Sequence, residues 1–285
     1  MLLGVHVSTE GGICQAVRRA HKLGCNTMQF FSRSPQRWRD KFIGQEEAEE
    51  FCKIKVKFKI SPVFIHIPYL INLASPNPRL YKASVAAYIE DILEAHALEV
   101  DYIVTHMGSH KETTEKGGLK RLARALNKII ERTKDTQVGI LLENTAGSGS
   151  WLGYKFIHMK KVLADIKDPG RIGLCLDTAH AYAAGYDIAS AEGLERLVEA
   201  METFGGTKLL KLVHFNDSLG ELSSHHDRHA HIGEGRIGRQ GMARVLNHPK
   251  LRNAAFILET PKDTPTADKK NLTLVRKLRK GTNGD

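Results

Sequence analysis

Six short apolar runs, VFIHIPY, YIVTHMG, VGILLENT, IGLCLDTAH, LLKLVHFND and AAFILETP, each bring imidazole or carboxylate to their ends: His66, His106, Glu143, Asp177, His214 and Glu259. His180, three residues after Asp177, and Asp227 and His229 in DRHAH complete a set of nine. Zinc and similar divalent ions take imidazole nitrogen and carboxylate oxygen, and five histidines with four carboxylates are enough for more than one ion. A single polar residue can end a strand for no reason but that the strand stops. Six runs ending alike are hard to explain that way, and they point to a polynuclear metal site. Adjacent metals can share bridging groups, activate an attacking oxygen and stabilise a leaving one in phosphoryl displacement. A spacing of two puts Asp227 and His229 on one side of an extended segment. His231, next in that alternation, reads equally as a solvated residue, and His6, near the end of the first apolar run, points into the same region.

Residues this far apart in the chain converge if the runs are strands of a parallel barrel, whose carboxyl ends share one mouth. With LLGVHVS and CNTMQFFS there are eight strand-like runs alternating with helical patterns, which is the count of a (β/α)8 TIM barrel. The 285 residues suit one such domain, and no linker rich in Pro, Gly or Ser divides them. We therefore expect a single α/β domain over 1–285, closed by a basic carboxy-terminal helix at about 266–280. Ile13, Ala16, Val17 and Ala20 repeat at helical spacing, Ser8 or Thr9 is placed to cap that helix, and Gly24 to end it. Leu119, Leu122, Leu126, Ile129 and Ile130 form a second apolar stripe with basic residues on the opposite face. Lys53, Lys55, Lys57 and Lys59 alternate with apolar residues as in a strand. Glu46, Glu47, Glu49 and Glu50 ahead of them suit a helix dipole instead, so a helix is expected to about residue 58. The mouth loops fall at 72–79, 109–118, 147–154 and 218–238.

Lys and Arg number 42 against 32 Asp and Glu, a net charge of +10 that favours a polyanionic partner. The four cysteines form no CxxC pair and no disulfide-like framework, which suits a reducing compartment. There is neither a signal-like amino terminus nor a membrane-length apolar run, so the expectation is a soluble cytoplasmic protein. GEGRIG at 233–238 fits G-x-G-x-x-G, but polar HHDRHAH precedes it where a dinucleotide fingerprint needs a strand. Its glycines are expected only to turn the backbone. No G-x-S-x-G elbow follows a strand, which excludes that serine-hydrolase arrangement.

Taken together, HIPYLINLASP, HMGS, LENTAG, CLDTAHAYAAGYD, HFNDS, DRHAHIGEGRIG and LETP resemble the endonuclease IV family of apurinic/apyrimidinic DNA repair enzymes. The likeness runs from GVHVS near residue 4 to LETP at 258–261. It implies a TIM barrel holding three Zn2+ per chain that cuts duplex DNA on the 5′ side of an abasic site, leaves a 3′-hydroxyl, and also trims blocked 3′ ends. Carried over by motif, His66, His106 and Glu143 would bind one zinc, and Glu143 would bridge to a second completed by Asp177, His214 and Glu259. His180, Asp227 and His229 would hold the third. Glu143 and Glu259 would be the catalytic carboxylates, with a metal-bridging hydroxide attacking phosphorus and Glu259 orienting it. Tyr69 and Leu70 match residues that enter the DNA gap. The loop SRSPQRW departs from the family, since Gln36 stands where some members carry an inserting arginine; Arg33 or Arg37 would have to supply that charge. Met107 replaces a common proline beside the retained His106. A monomer acting on abasic duplex DNA, without a protein partner, is implied.

The rival reading is a sugar isomerase or epimerase on a related barrel, which needs one or two metals and no basic surface. The DTAH and DRH pairs and the +10 charge count against it. A DNA-binding relative without catalysis is disfavoured because all nine ligand positions hold competent residues.

Overall fold

A computed structural model of the chain describes residues 1–33, 38 and 43–280. Eight parallel strands form one sheet: β1 (Leu3–Val5), β2 (Met28–Phe31), β3 (Val63–His66), β4 (Tyr102–His106), β5 (Gly139–Glu143), β6 (Ile172–Asp177), β7 (Leu210–His214) and, after two short strands, β10 (Ala255–Leu258). The sheet runs β1–β10–β7–β6–β5–β4–β3–β2. Its two edges meet through a parallel bridge between His6 and Gln29, and Val7 N–H donates to the Gln29 carbonyl at 2.8 Å, so the barrel is nearly closed. These strands are the eight apolar runs, and apart from exposed Lys211 in β7 they are largely buried on both faces, as parallel strands under helices must be.

Helices α1 (Ile13–Lys22), α2 (Gln45–Lys57), α3 (Pro78–Ala97), α4 (Glu115–Arg132), α5 (Phe156–Ala164), α6 (Thr178–Ala183), α7 (Ala191–Glu202), α8 (Gly206–Leu209), α9 (Gly238–Asn247) and α10 (Ala267–Lys280) surround the barrel. The lysine-rich stretch is helical as the dipole argument required, with Glu46 and Glu47 in its first turn and Lys55 and Lys57 in its last. One capping expectation fails. Gly12, not Ser8 or Thr9, is the N-cap of α1, and no side chain of α1 caps it. Glu47 of α2 does so from outside, its Oε1 accepting from Ile13 N–H at 3.1 Å, a tertiary partner that local sequence cannot reveal. Gly24 ends α1 at φ +70, where its N–H bonds to the His21 carbonyl.

The core has two parts. Most apolar side chains lie between the helices and the outside of the sheet. A second layer, Phe64, Val104, Leu141, Cys175, Leu212, Ala255 and Ile257, fills the barrel interior. Strand side chains alternate, so the residue two further along each strand also points inward, one layer nearer the mouth. From Phe64, Val104, Leu141, Cys175, Leu212 and Ile257, that step arrives at His66, His106, Glu143, Asp177, His214 and Glu259. The interior packing thus sets the orientation of the polar ring above it. No described helix is long and apolar enough to cross a membrane.

Candidate metal centre

Glu143 sits at the centre of the ring and is 1% exposed. Its Oε2 lies 3.0 Å from His66 Nε2 and 3.3 Å from His106 Nε2, while Oε1 lies 2.9 Å from His214 Nδ1 and 3.4 Å from His180 Nδ1. His214 Nδ1 also faces Glu259 Oε2 at 3.5 Å and Asp177 Oδ2 at 4.0 Å. His180 Nε2 meets Asp227 Oδ2 at 3.1 Å, and His229 Nε2 lies 3.4 Å from Asp227 Oδ1 and 3.7 Å from Asp177 Oδ2. All nine residues therefore converge. Among the described residues, groupings with potential ligand atoms within 4.8 Å of one another are His66–His106–Glu143, Glu143–Asp177–His214–Glu259, Asp177–His180–His229 and Glu143–Cys175–His214, the last with a thiol that burial pushes up to about 12.

Asp227 and His229 arrive from outside the eight strands. They stand on the excursion after β7, pinned by the two-residue strands β8 (Asp217–Ser218) and β9 (His229–Ala230). The buried Asp217 carboxylate holds this excursion shut: Oδ2 accepts from Gly233 and Gly235 N–H at 2.9 and 3.1 Å, and Oδ1 accepts from Ser218 and Ile237 N–H at 2.8 and 3.0 Å. The GEGRIG amides thus face the protein's own anion. Gly235 is required there, since an added Cβ would come within 2.5 Å of Asp217 Oδ1 and of the Ser218 carbonyl.

The outer nitrogens of four imidazoles are tied down. A carbonyl oxygen only accepts, so Nδ1 must be the protonated nitrogen where His66 bonds to Ile67 O (2.7 Å), His180 to Asn144 O (2.9 Å) and His229 to Glu259 O (3.1 Å). In the neutral rings this leaves Nε2 with its lone pair toward the carboxylates. His214 is turned the other way: its Nε2 meets Gln29 Oε1 at 2.8 Å, and the Gln29 amide is fixed because its Nε2 donates to Glu259 Oε1 at 2.7 Å. Tautomers held by outer partners are the usual support of metal-ligating histidine. His229 Nε2 is buried without any hydrogen-bond partner, as a lone pair reserved for a cation would be.

The electrostatics agree. Burial pushes Asp227 upward, but the hydrogen bond from His180 and the charges of His180, His229 and His106 outweigh it and hold the carboxyl at about 2. Burial acts against ionised Glu143 and Glu259 too, and His214 beside them keeps both well below the ordinary glutamate range. Burial would lower His180, and Asp177 with Asp227 and Glu143 raises it well above the ordinary imidazole value. Two fully buried carboxylates, Glu143 and Asp177, with Glu259 mostly buried beside them and Asp227 half-exposed at the rim, demand positive charge, from protons or from metal.

Three amides with no sequence motif of their own support the ring. Gln29, Asn144 and Asn216 orient groups that could bind metal: Asn216 Nδ2 donates to Asp177 Oδ2 at 2.8 Å, and Asn144 Oδ1 accepts from Asp177 N–H at 2.7 Å. Asn144 and Asn216 lie one and two residues beyond Glu143 and His214, and Gln29 is a polar residue inside an otherwise apolar run; those were the available signals. His6 contacts Gln29 Nε2 at 3.0 Å and Glu259 Oε1 at 3.5 Å and stands behind the ring. His231 is engaged elsewhere, by Asp263 and Asn271.

Tyr69 is 55% exposed at the mouth, its ring 5.6 Å from that of His106, and Leu70 beside it is half-buried. Tyr69, Trp151, His106, His180 and Asp227 surround an opening of ≈ 130 Å³. Arg33 turns away from the mouth. Its guanidinium pairs with the buried Asp91 through Nε at 2.9 Å and also through Nη2, so it supplies no charge to a ligand. Gln36 and Arg37 lie outside the described residues.

A family profile described as a xylose isomerase-like TIM barrel matches residues 17–280. The chain is 40% identical over 280 residues to a probable endonuclease 4 of Halothermothrix orenii, covering 98% of this chain and 100% of that one. It superposes on the crystal structure of endonuclease IV from Thermus thermophilus with a TM-score of 0.87 and 34% identity, covering 99% and 100% of the two chains. A D-tagatose 3-epimerase-like protein reaches a TM-score of 0.76 at 20% identity over 99% and 98%, a likeness of fold alone.

Proposed function

Because this chain belongs to the endonuclease IV family, we propose that it hydrolyses the phosphodiester 5′ of an abasic site in duplex DNA, leaving a 3′-hydroxyl, at a centre of three zinc ions. A metal-dependent apurinic/apyrimidinic endonuclease of DNA repair follows from the family itself. The observation that carries the finer reading is Glu143, reached from one side by His66 and His106 and from the other by His180 and His214.

His66, His106 and Glu143 would hold the first ion; Glu143, Asp177, His214 and Glu259 the second; His180, Asp227 and His229 the third. Bound zinc would supply Lewis acidity that makes water nucleophilic near neutral pH and offsets phosphate charge. The protein's own groups do the rest. Gln29 and Asn216 hold the Glu259 carboxylate at 2.7 and 3.3 Å, so that it can orient the attacking water. Tyr69 and Leu70 enter the gap left by the missing base, and an abasic nucleotide, lacking stacking, is extruded at lower cost than a normal one. The same centre would trim blocked 3′ ends, and one barrel mouth would suffice, so the enzyme would act as a monomer. Glu259→Gln should abolish cleavage while DNA binding persists. An active variant would remove Glu259 from the mechanism.

A further inference from the structure

Residues 115–171, a fifth of the chain, hold twelve Lys and Arg against six Asp and Glu, a net +6 out of +10. Much of this charge lies away from the mouth. Lys116, Lys120, Arg124 and Lys128 recur every fourth residue on α4, and all four are exposed. At 1.5 Å per residue they form a ladder about 18 Å long, with like charges adjacent at each step, an arrangement that slightly destabilises an isolated helix. No carboxylate answers them: among the described residues none of the four makes an ion pair, and Glu115 at the head of the helix is turned to the Tyr154 hydroxyl at 2.6 Å. On α4 only Arg124 is drawn back to the chain, its Nε donating to Lys120 O at 3.3 Å, whereas the other basic helix, α10, ties both its arginines, Arg276 and Arg279, to carbonyls of Gly24 and Leu246, leaving Lys269, Lys270 and Lys277 exposed.

The ladder has neighbours of the same sign. Helix α5 packs beside α4 and adds exposed Lys160 and Lys161. Asn127 ties the following loop to α4, donating to Asp165 O at 2.9 Å and accepting from Lys167 N–H at 2.8 Å, which sets Lys167 beside the stripe. A groove of ≈ 740 Å³ lies between them, lined by Arg124, Lys128, Arg132, Lys134 and Lys167 with Glu131 and Asp168. A compact anion needs convergent, buried donors. Exposed cations strung along a line fit a linear polyanion, whose phosphates are neutralised one by one. Since α4 starts at the mouth end of the barrel and runs away from it, the line leads down the flank.

We propose that the α4–α5 flank is a second DNA contact, independent of the lesion, which holds the phosphate backbone of undamaged duplex. Only the choice of DNA as the polyanion rests on the function proposed above. The test uses full-length protein carrying Lys120→Gln, Arg124→Gln and Lys128→Gln, with a long undamaged duplex as probe over a range of salt. Loss of three phosphate contacts should make the slope of log K against log salt shallower by about 2.7 and weaken binding roughly tenfold or more at low salt. The charge-keeping pair Lys120→Arg and Lys128→Arg should retain wild-type binding, and all variants should cut a short abasic duplex at the wild-type rate under saturating single turnover. An unchanged slope overturns the proposal, and so does an equal loss on the short duplex, which would put the ladder inside the mouth's own footprint. If wild-type protein cut no abasic site, the proposed function would fall while the binding result stood.

Discussion

The nine candidate ligand groups are oriented by neutral side chains as much as by the strands. Gln29 sets the His214 tautomer, shares the hold on Glu259 with Asn216 and contacts His6. Replacing it with Met, of similar size but without hydrogen-bonding groups, should lower metal affinity or activity 10–100-fold, roughly the cost of losing a ligand's outer support. Metal titration of the purified variant checks this, and a wild-type titration would deny Gln29 that role. Away from the site, burial pushes the Asp91 carboxyl up to about 6 in spite of Arg33 beside it. The folded state then holds this proton more tightly than the unfolded chain, so the contribution to stability is full below the ordinary aspartate value and is lost as pH rises through about 6. Relative to Asp91→Asn, the wild-type protein should lose about 2 kcal/mol between pH 4 and 7, measurable by urea unfolding at several pH values. The charged ring was legible in sequence because charge at a strand end is rare and conspicuous. The amides behind it were not, because Gln and Asn are common in loops and only geometry tells a positioning amide from a solvated one.

Among elements, the excursion between β7 and α9 departs furthest from simple barrel regularity. It delivers Asp227 and His229, and its closure depends on backbone amides converging on Asp217. Asp217→Ala would leave several buried donors unsatisfied, at about 1–3 kcal/mol each, and should release the loop. The expected result is a protein that has lost one ion of its complement and melts earlier. Full metal content with an unchanged melting temperature would show that the loop is held by other means. The eight strands and the helix over the lysine-rich stretch could be read from periodicity and charge, because each is a local pattern. The cap of α1 could not, since Glu47 reaches it from another helix, and the role of GEGRIG was legible only as a turn because its anion, Asp217, lies in a different segment.

At the scale of the whole molecule, the inward phase of the strands joins packing to function: the layer that fills the barrel also aims the ligands. Removing metal should therefore destabilise the entire fold. With ions present at about 1,000 times their dissociation constant the linkage is worth roughly 4 kcal/mol for each ion, so loss of even one should lower Tm by on the order of 10 °C and full chelation by more, recovered on adding zinc back. The most direct test of the account is incision of a duplex carrying a single abasic site, with metal analysis of the same preparation and a Glu143→Ala control. Cleavage on the 5′ side by protein holding about three ions, abolished in the control, is the result predicted for a trinuclear centre. Metal-loaded protein that leaves the abasic strand intact would contradict it.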